Sequence, residues 1–133
     1  MLFRSVLAVG SREGAPVPSG AGFVSDAQGN VVISRLEIES LAAVAEAENV
    51  RIKISGLGMG DNSWTVDSIR PYVLHCIETF GPDRSFFATN WPVDSLWSTY
   101  DAVVDAYTEI IGGFGEDEQV AMFSKNAEEL YRI

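Results

Sequence analysis

From Leu36 onward, apolar and polar residues alternate with two different periods, and these periods predict the secondary structure. Residues 36–48 carry apolar side chains near a helical period, with glutamates between them, which indicates a helix exposed on one side. Residues 50–54 change to a period of two, which indicates a strand with Arg51 and Lys53 on its polar face. The chain therefore begins this region as a helix followed by a strand.

A second helix is predicted to start at Thr65 or Ser68, with Pro71 in its first turn, because a proline deeper in a helix removes a hydrogen bond. Residues 85–89 then form a short apolar run that stops abruptly at Asn90. This pattern predicts a second buried strand with a polar residue at its carboxyl end.

A long amphipathic helix is predicted next, capped by Asp94 or Ser95, and its apolar stripe is predicted to start at Leu96. Two short helices over residues 116–123 and 126–131 close the chain. Helices and strands thus alternate from Leu36 onward. That order predicts an α/β fold with parallel strands joined by right-handed crossovers.

Residues 1–35 have a different character and are predicted to be an N-terminal strand, over residues 6–9, followed by a loop rich in Gly and Pro. Residues 22–24 and 31–33 either close a hairpin or belong to a long irregular loop, and the pattern leaves both open. Leu2-Phe3-Arg4-Ser5 can be encoded by the end of a common sequencing-adapter oligonucleotide. We hypothesise that the first five residues are an assembly artefact fused to a truncated gene. Residues 1–35 are separated from residues 36–133, which carry the alternating helices and strands.

Composition excludes several classes of function. Nine Lys and Arg against nineteen Asp and Glu give a net charge of −10, so nucleic acid and anionic membrane surfaces are not expected partners. No segment approaches the ~20 apolar residues of a membrane span, and a cytoplasmic location is expected. Cys76 is the one cysteine and His75 the one histidine, so a Cys/His zinc site and a Ser-His-Asp triad have few of the residues they need. His75 lies on the outer side of the second predicted helix and is expected to be a plain surface residue.

The best candidates for chemistry lie where the strands end, because ligands bind at the carboxyl ends of strands in α/β proteins. Asn90 and Trp91 follow the second strand, and Ser55 follows the first. Lys53 is either a solvated charge at a sheet edge or a residue facing a central cavity. The acids Asp61, Asp67 and Asp94 are candidates for acid–base work, although helix caps and loop acids are commoner.

The glycines at positions 56, 58 and 60 invite comparison with a phosphate-binding loop. Asp61 stands where the dinucleotide fingerprint needs a further glycine, and an acid is badly placed beside a pyrophosphate. A loop at the rim of a site is therefore the preferred interpretation.

Several runs in combination resemble the amidohydrolase-related family, the "amidohydrolase 2" group. They are residues 49–59, 64–71 and 80–94, the last ending Phe-Phe-Ala-Thr-Asn-Trp-Pro-Val-Asp, and the final residues 123–131. The resemblance implies a TIM barrel and the hydrolysis of a small ester, lactone or amide, as in lactonases and other metal-dependent hydrolases. A full barrel needs ~250 residues. The chain is thus expected to be a partial (β/α)8 barrel, its last two to three βα units plus C-terminal helices.

The resemblance also implies roles for individual residues. Residues 50–54 would be the seventh strand, 85–89 the eighth and 6–9 the sixth. Relatives often carry an aspartate, as metal ligand or general base, where this chain has Asn90, and an amide cannot take a proton in that way. Asn90 is the catalytic candidate, positioning substrate or water.

Lys53, Ser55 and Trp91 are the candidates for substrate binding by resemblance, with Lys53 suited to a substrate carboxylate. No metal ligand or cofactor is predicted in this chain, while a divalent metal is compatible with the full-length parent.

The expected partner of the parent enzyme is a small-molecule substrate, and the chain alone is expected to be inactive. Two alternatives stay open. One is a non-catalytic fragment that self-associates through exposed barrel edges, and the other is a small anion-binding α/β domain.

Overall fold

The computed structural model describes residues 7–11, 23–25, 31–33, 38–59 and 61–133, with side chains described from Leu41 onward. The strands are β1 (Leu7–Ser11), β2 (Phe23–Ser25), β3 (Val31–Ile33), β4 (Val50–Ile54) and β5 (Ser85–Phe87). The helices are α1 (Ile38–Ala45), α2 (Val66–Phe80), α3 (Tyr100–Ile110), α4 (Glu116–Val120) and α5 (Asn126–Tyr131). Leu57–Met59 and Val93–Leu96 form 3₁₀ turns, and Ala121–Lys125 is a π-helical turn between α4 and α5.

The strands form one sheet in the order β2-β3-β1-β4-β5. β4 and β5 are parallel, with Ile52 opposite Ser85 and Ile54 opposite Phe87, which confirms the parallel pair expected from the helix–strand alternation. β2 and β3 are antiparallel neighbours, so the structure favours the hairpin over the irregular loop. The sheet is mixed, and the partial barrel stays a prediction.

The assignment of the first strand as a parallel sixth barrel strand is wrong in this structure. β1 runs antiparallel to both β3 and β4, pairing Val9 with Val31 on one side and with Ile52 on the other. β3 and β4 therefore point the same way and are joined by α1, with β1 between them. Strand direction depends on these long-range hydrogen bonds, and a short apolar run does not encode it.

The core lies between one face of β4 and the helices α1, α2 and α3. Ile52 and Ile54 have no exposed surface, and Val73 of α2 and Ile111 at the end of α3 are also fully buried. Burying one such side chain contributes roughly 1.5–3 kcal/mol. Cys76 belongs to this core, and burial raises the pKa of its thiol to about 12, so it packs as a small apolar side chain and is no nucleophile.

Two helix starts show how local side-chain chemistry sets an element's bounds. Thr65 and Ser68 form a capping box in which each backbone N–H donates to the other side chain, and α2 therefore begins at Val66. Pro71 therefore lies in the second turn of α2, whereas the sequence predicts it in the first turn. Thr99, whose hydroxyl accepts from the Ala102 N–H, caps α3, so neither Asp94 nor Ser95 is the cap.

None of the described helices has both the length and the apolar content needed to cross a bilayer. α5 lies across the amino ends of β4 and β5. The Asn126 side chain donates to the backbone oxygens of Pro82 and Ser85, and Arg51 pairs with Glu129 at 2.8 Å. These contacts fix the end of the sheet opposite to the predicted site.

Candidate functional site

The carboxyl ends of β4 and β5 lie side by side and bring Asn90 over the end of β4. The Ala88 N–H donates to the Ile54 oxygen at 3.0 Å, which extends the pairing just beyond the strands. Asn90 then adopts a left-handed backbone conformation with a φ of 56°, and Gly56 does so with a φ of 66°. A Cβ at Gly56 would lie 3.3 Å from Asn90 Nδ2, so the absence of a side chain there lets the amide settle against β4.

Asp94 is the partner of Asn90. Asn90 Nδ2 donates to Asp94 Oδ1 at 2.7 Å, and the Asp94 N–H donates to the Asn90 backbone oxygen at 3.2 Å. These two hydrogen bonds join the ends of the turn that contains the cis peptide bond between Trp91 and Pro92. Asp94 is only 2% exposed, and burial raises its pKa, an effect that the hydrogen bond from Asn90 partly offsets.

Tyr107 of α3 closes the floor of this region. Its ring stacks on Phe87 with centroids 4.3 Å apart, and its hydroxyl donates to the backbone oxygen of Ala88 at 3.3 Å, with the Ile54 oxygen at 3.5 Å. Burial, and then the negative charge of Asp94, raise the pKa of Tyr107. The phenol is therefore a neutral donor that ties α3 to both strand ends.

The other predicted site residues are less closely gathered. Ser55 is buried beside Gly56, at the end of β4. Lys53 is half-buried and lies opposite Phe86 in the strand register. Trp91 is 41% exposed and its ring meets Tyr100 edge-on with centroids 5.7 Å apart, so it points outward at the rim.

The loop after β4 is packed by two tryptophans. Gly58 is buried, and a Cβ there would lie 2.9 Å from Trp64 Cδ1 and would overlap Trp97 Nε1. Trp97 Nε1 is enclosed without a hydrogen-bond acceptor among the described residues. The structure therefore gives this glycine a packing role, since only a bare Cα fits between the indoles.

Replacing Gly58 with alanine is expected to destabilise the fold by roughly 1–3 kcal/mol, because the added methyl forces the indoles apart. Gly113→Ala is the matched control, since a Cβ there meets no atom within 4 Å. Thermal or urea unfolding measures both. Equal stabilities of the two variants would contradict the packing role of Gly58.

Other titratable residues have structural roles or lie apart from the site. Asp61 accepts from the backbone and hydroxyl of Ser63, and Asp67 lies in the first turn of α2 near Arg70. His75, expected to be a plain surface residue, is half-buried, and its Nε2 finds no partner among the described residues. The surface expectation fails because α2 packs against α1, α3 and β4 and leaves little free circumference.

Asp94 is the residue that the sequence undervalued. It is one of three candidate acids, and helix caps and loop acids are the commoner roles for such residues. The available signal was its spacing, four residues after Asn90 across a Trp-Pro turn. A turn that returns the chain on itself can bring such residues together.

The described side chains do not by themselves fit a metal ion. No group of three His, Cys, Asp or Glu lies together among residues 41–59 and 61–133. At the strand ends the one carboxylate is Asp94, and one of its oxygens is already occupied by the Asn90 amide. Metal sites need several such oxygen or nitrogen donors converging on one point.

A cavity of about 390 Å³ lies at the opposite end of the sheet and is lined in part by Arg51 and Arg84. Both guanidinium groups already have protein partners there. Arg84 donates to three backbone oxygens, and Arg51 donates to Glu129 and to the Asn126 oxygen. The two arginines that flank the cavity therefore serve to hold parts of the fold together through these hydrogen bonds.

Sequence and structure comparisons relate the chain to known proteins. A family model described as "Amidohydrolase" matches residues 34–133. An uncharacterised protein, y4mH, from Sinorhizobium fredii is 50% identical over 95 residues, 71% of this chain and 32% of that protein. The crystal structure of an amidohydrolase from Burkholderia multivorans with bound zinc has a TM-score of 0.68 at 24% identity, over 72% of this chain and 36% of that one.

Amidohydrolase 2 from Bifidobacterium longum subsp. infantis is 36% identical, with a TM-score of 0.50 over 72% of this chain and 34% of that one. The chain thus spans about a third of the length of the relatives it matches.

Proposed function

The chain belongs to the amidohydrolase family, and on that premise we propose that it forms the C-terminal part of a hydrolase acting on a small ester, lactone or amide. The observation that carries the proposal is the pair made by Asn90 and Asp94 at the carboxyl edge of the parallel strands. Strand ends of this kind hold the substrate in (β/α)8 enzymes. In this proposal the Asn90 amide faces the substrate, and the buried Asp94 carboxylate lies behind it.

Each group has a role that its chemistry allows. The Asn90 amide binds substrate or water by hydrogen bonds, and it does not accept a proton as a carboxylate does. Lys53, half-buried one residue before the end of β4, suits a negatively charged group of the substrate. Ser55 and Trp91 are proposed to border the same substrate, one from the strand end and one from the rim.

The proposal includes inactivity of this chain on its own. Its described residues supply one end of the proposed site, and the matched segment covers about a third of each relative. The bound zinc of the Burkholderia protein is compatible with a metal in a longer parent. Because the donors among the described residues do not fit a metal, any such ion would depend on other residues of a longer parent.

A chimera tests the proposed function. In this experiment the parent is the Sinorhizobium protein, and its matching 95-residue segment is replaced by that of this chain. The isolated chain, the parent and the chimera are assayed on lactones, aryl esters and anilides. We expect turnover by the parent and the chimera and none by the isolated chain. Asn90→Ala in the chimera should lower kcat/KM by about 10-fold to 100-fold, since a positioned hydrogen bond is lost.

Lys125→Ala is the matched control, because Lys125 is exposed and lies outside the strand ends. A parent that hydrolyses none of these three substrate classes would contradict the proposed reaction. A folded chimera without the parent's activity would contradict the functional equivalence of the segment, and turnover by the isolated chain would contradict its inactivity.

A further inference from the structure

The Asn90 side-chain amide has a donor nitrogen and an acceptor oxygen, and the nitrogen is already hydrogen-bonded within the protein. Nδ2 carries the hydrogen that goes to Asp94 Oδ1, at 2.7 Å. Among the described residues no donor reaches Asn90 Oδ1. The amide therefore offers a hydrogen-bond acceptor at the strand ends, while one of its donors is used internally.

Asp94 determines that the nitrogen of the Asn90 amide, and not its oxygen, forms this internal hydrogen bond. An ionised carboxylate has acceptors only, so it attracts the amide nitrogen and repels the amide oxygen. A neutral partner such as an amide or a hydroxyl can pair with either end, and would leave the orientation of Asn90 open. The carboxylate thus gives the amide one preferred orientation.

The surroundings hold this pair in place. The backbone bond from the Asp94 N–H to the Asn90 oxygen fixes the separation of the two residues, and Gly56 leaves room for Nδ2. Asp94 itself is 2% exposed, so it is too enclosed to meet a substrate directly. Its influence on a ligand has to pass through Asn90.

We propose that Asp94 is a positioning residue that turns the Asn90 amide so that Oδ1 is presented at the carboxyl edge as the acceptor for a hydroxyl group or a water molecule. The orientation of the amide stands on the geometry of the pair. The identity of the donor as part of a substrate rests on the proposed function. A sequence comparison that sees only an amide at position 90 misses this, because the orientation is set four residues later.

Nuclear magnetic resonance of the 133-residue chain tests the orientation. The side-chain amide signals of Asn90 are identified by their loss in Asn90→Ala. We expect the two Nδ2 protons to be widely separated in chemical shift, because one is bonded to a carboxylate, and the signals to move as Asp94 is titrated. Asp94→Asn should abolish the titration, whereas Asp101→Asn, at an exposed position of α3, should preserve it.

The direction in which ionisation of Asp94 changes the stability of the fold follows from its pKa shift. Burial raises the pKa of Asp94 above its ordinary value of 3.8, so the folded chain binds this proton more tightly than the unfolded chain. The stability contributed by this group is full below 3.8 and is lost as the pH rises through the folded-state pKa. Asp94→Asn should remove this fall from a plot of the free energy of unfolding against pH, while Asp101→Asn retains it.

Each outcome decides the proposal. Random-coil shifts for the Asn90 amide, or a titration that persists in Asp94→Asn, would overturn it. In an active chimera Asp94→Asn is expected to lower kcat/KM by about tenfold through misoriented Asn90, and unchanged kinetics would overturn the positioning role. An inactive parent enzyme counts against the proposed function alone, since the resonance experiment then still decides the orientation.

Discussion

Replacing Arg84 with methionine is expected to lower the free energy of unfolding by about 3 kcal/mol, because three partly buried acceptors lose a charged donor. Its guanidinium donates to the backbone oxygens of Phe80, Ala45 and Ala47 at 2.9–3.1 Å. The Ala45 and Phe80 oxygens lie at the ends of α1 and α2, where helical carbonyls have no partner within the helix. The Ala47 oxygen lies just beyond α1 and also accepts from the Val50 N–H. Arg84 thus joins both helix ends to the start of β5.

Methionine keeps most of the apolar stem of Arg84. The loss therefore reports the guanidinium group, through its hydrogen bonds and its position 5.5 Å over the Phe80 ring, and not the packing of the stem. Lys125→Met is the matched control at an exposed position, and its effect should stay within about 0.5 kcal/mol. The free energy of unfolding of Arg84→Lys should lie between those of Arg84→Met and Lys125→Met, since an ammonium cannot reach the same acceptors as a planar guanidinium. Urea unfolding measures all three, and similar stabilities for Arg84→Met and Lys125→Met would contradict the role of Arg84.

Replacing Asn126 with aspartate is the second large effect, a loss of about 3 kcal/mol. Asn126 is 4% exposed, and its Nδ2 donates at 2.7 Å to the oxygens of both Pro82 and Ser85. Aspartate has the same shape but offers no donor when ionised, and it turns a buried negative charge toward two carbonyl oxygens. The docking of α5 on the amino end of β5 should weaken.

Two comparisons separate shape from charge. Asn126→Ala removes the donor without adding a charge and should cost less, about 2 kcal/mol. Glu128→Gln, at an exposed position of α5, should have little effect. Lowering the pH should partly rescue Asn126→Asp, because the protonated acid is neutral and can donate once. An aspartate variant as stable as the native chain would contradict the burial of this bond.

The sequence anticipates the site in part. Apolar periodicity indicated β4 and β5, and the polar residue after the second apolar run indicated Asn90, because a buried strand must stop where its side chains meet solvent. The role of Asp94 could not be obtained in this way. An acid after a turn usually caps a helix, and only the fold shows that Thr99 is the cap and that Asp94 is buried against Asn90.

The self-association expected from exposed barrel edges stays a prediction. Several apolar side chains between Trp91 and Tyr100 are exposed, including Leu96 at 78%. The stripe of the third helix was predicted to include Leu96 as an inward residue, and this is wrong because the helix begins only at Tyr100. A shift in a helix start changes which residues belong to its buried face.

What the sequence determined by itself is local: the periods that mark α2, β4 and β5, and the motifs that place the chain in its family. What only the tertiary structure decided is which groups meet: the antiparallel direction of β1, the three acceptors of Arg84, and the pairing of Asn90 with Asp94. The physical reason is that periodicity records which side of an element is buried. Hydrogen-bond partners and strand directions depend instead on neighbours distant in the chain or on how a turn folds back.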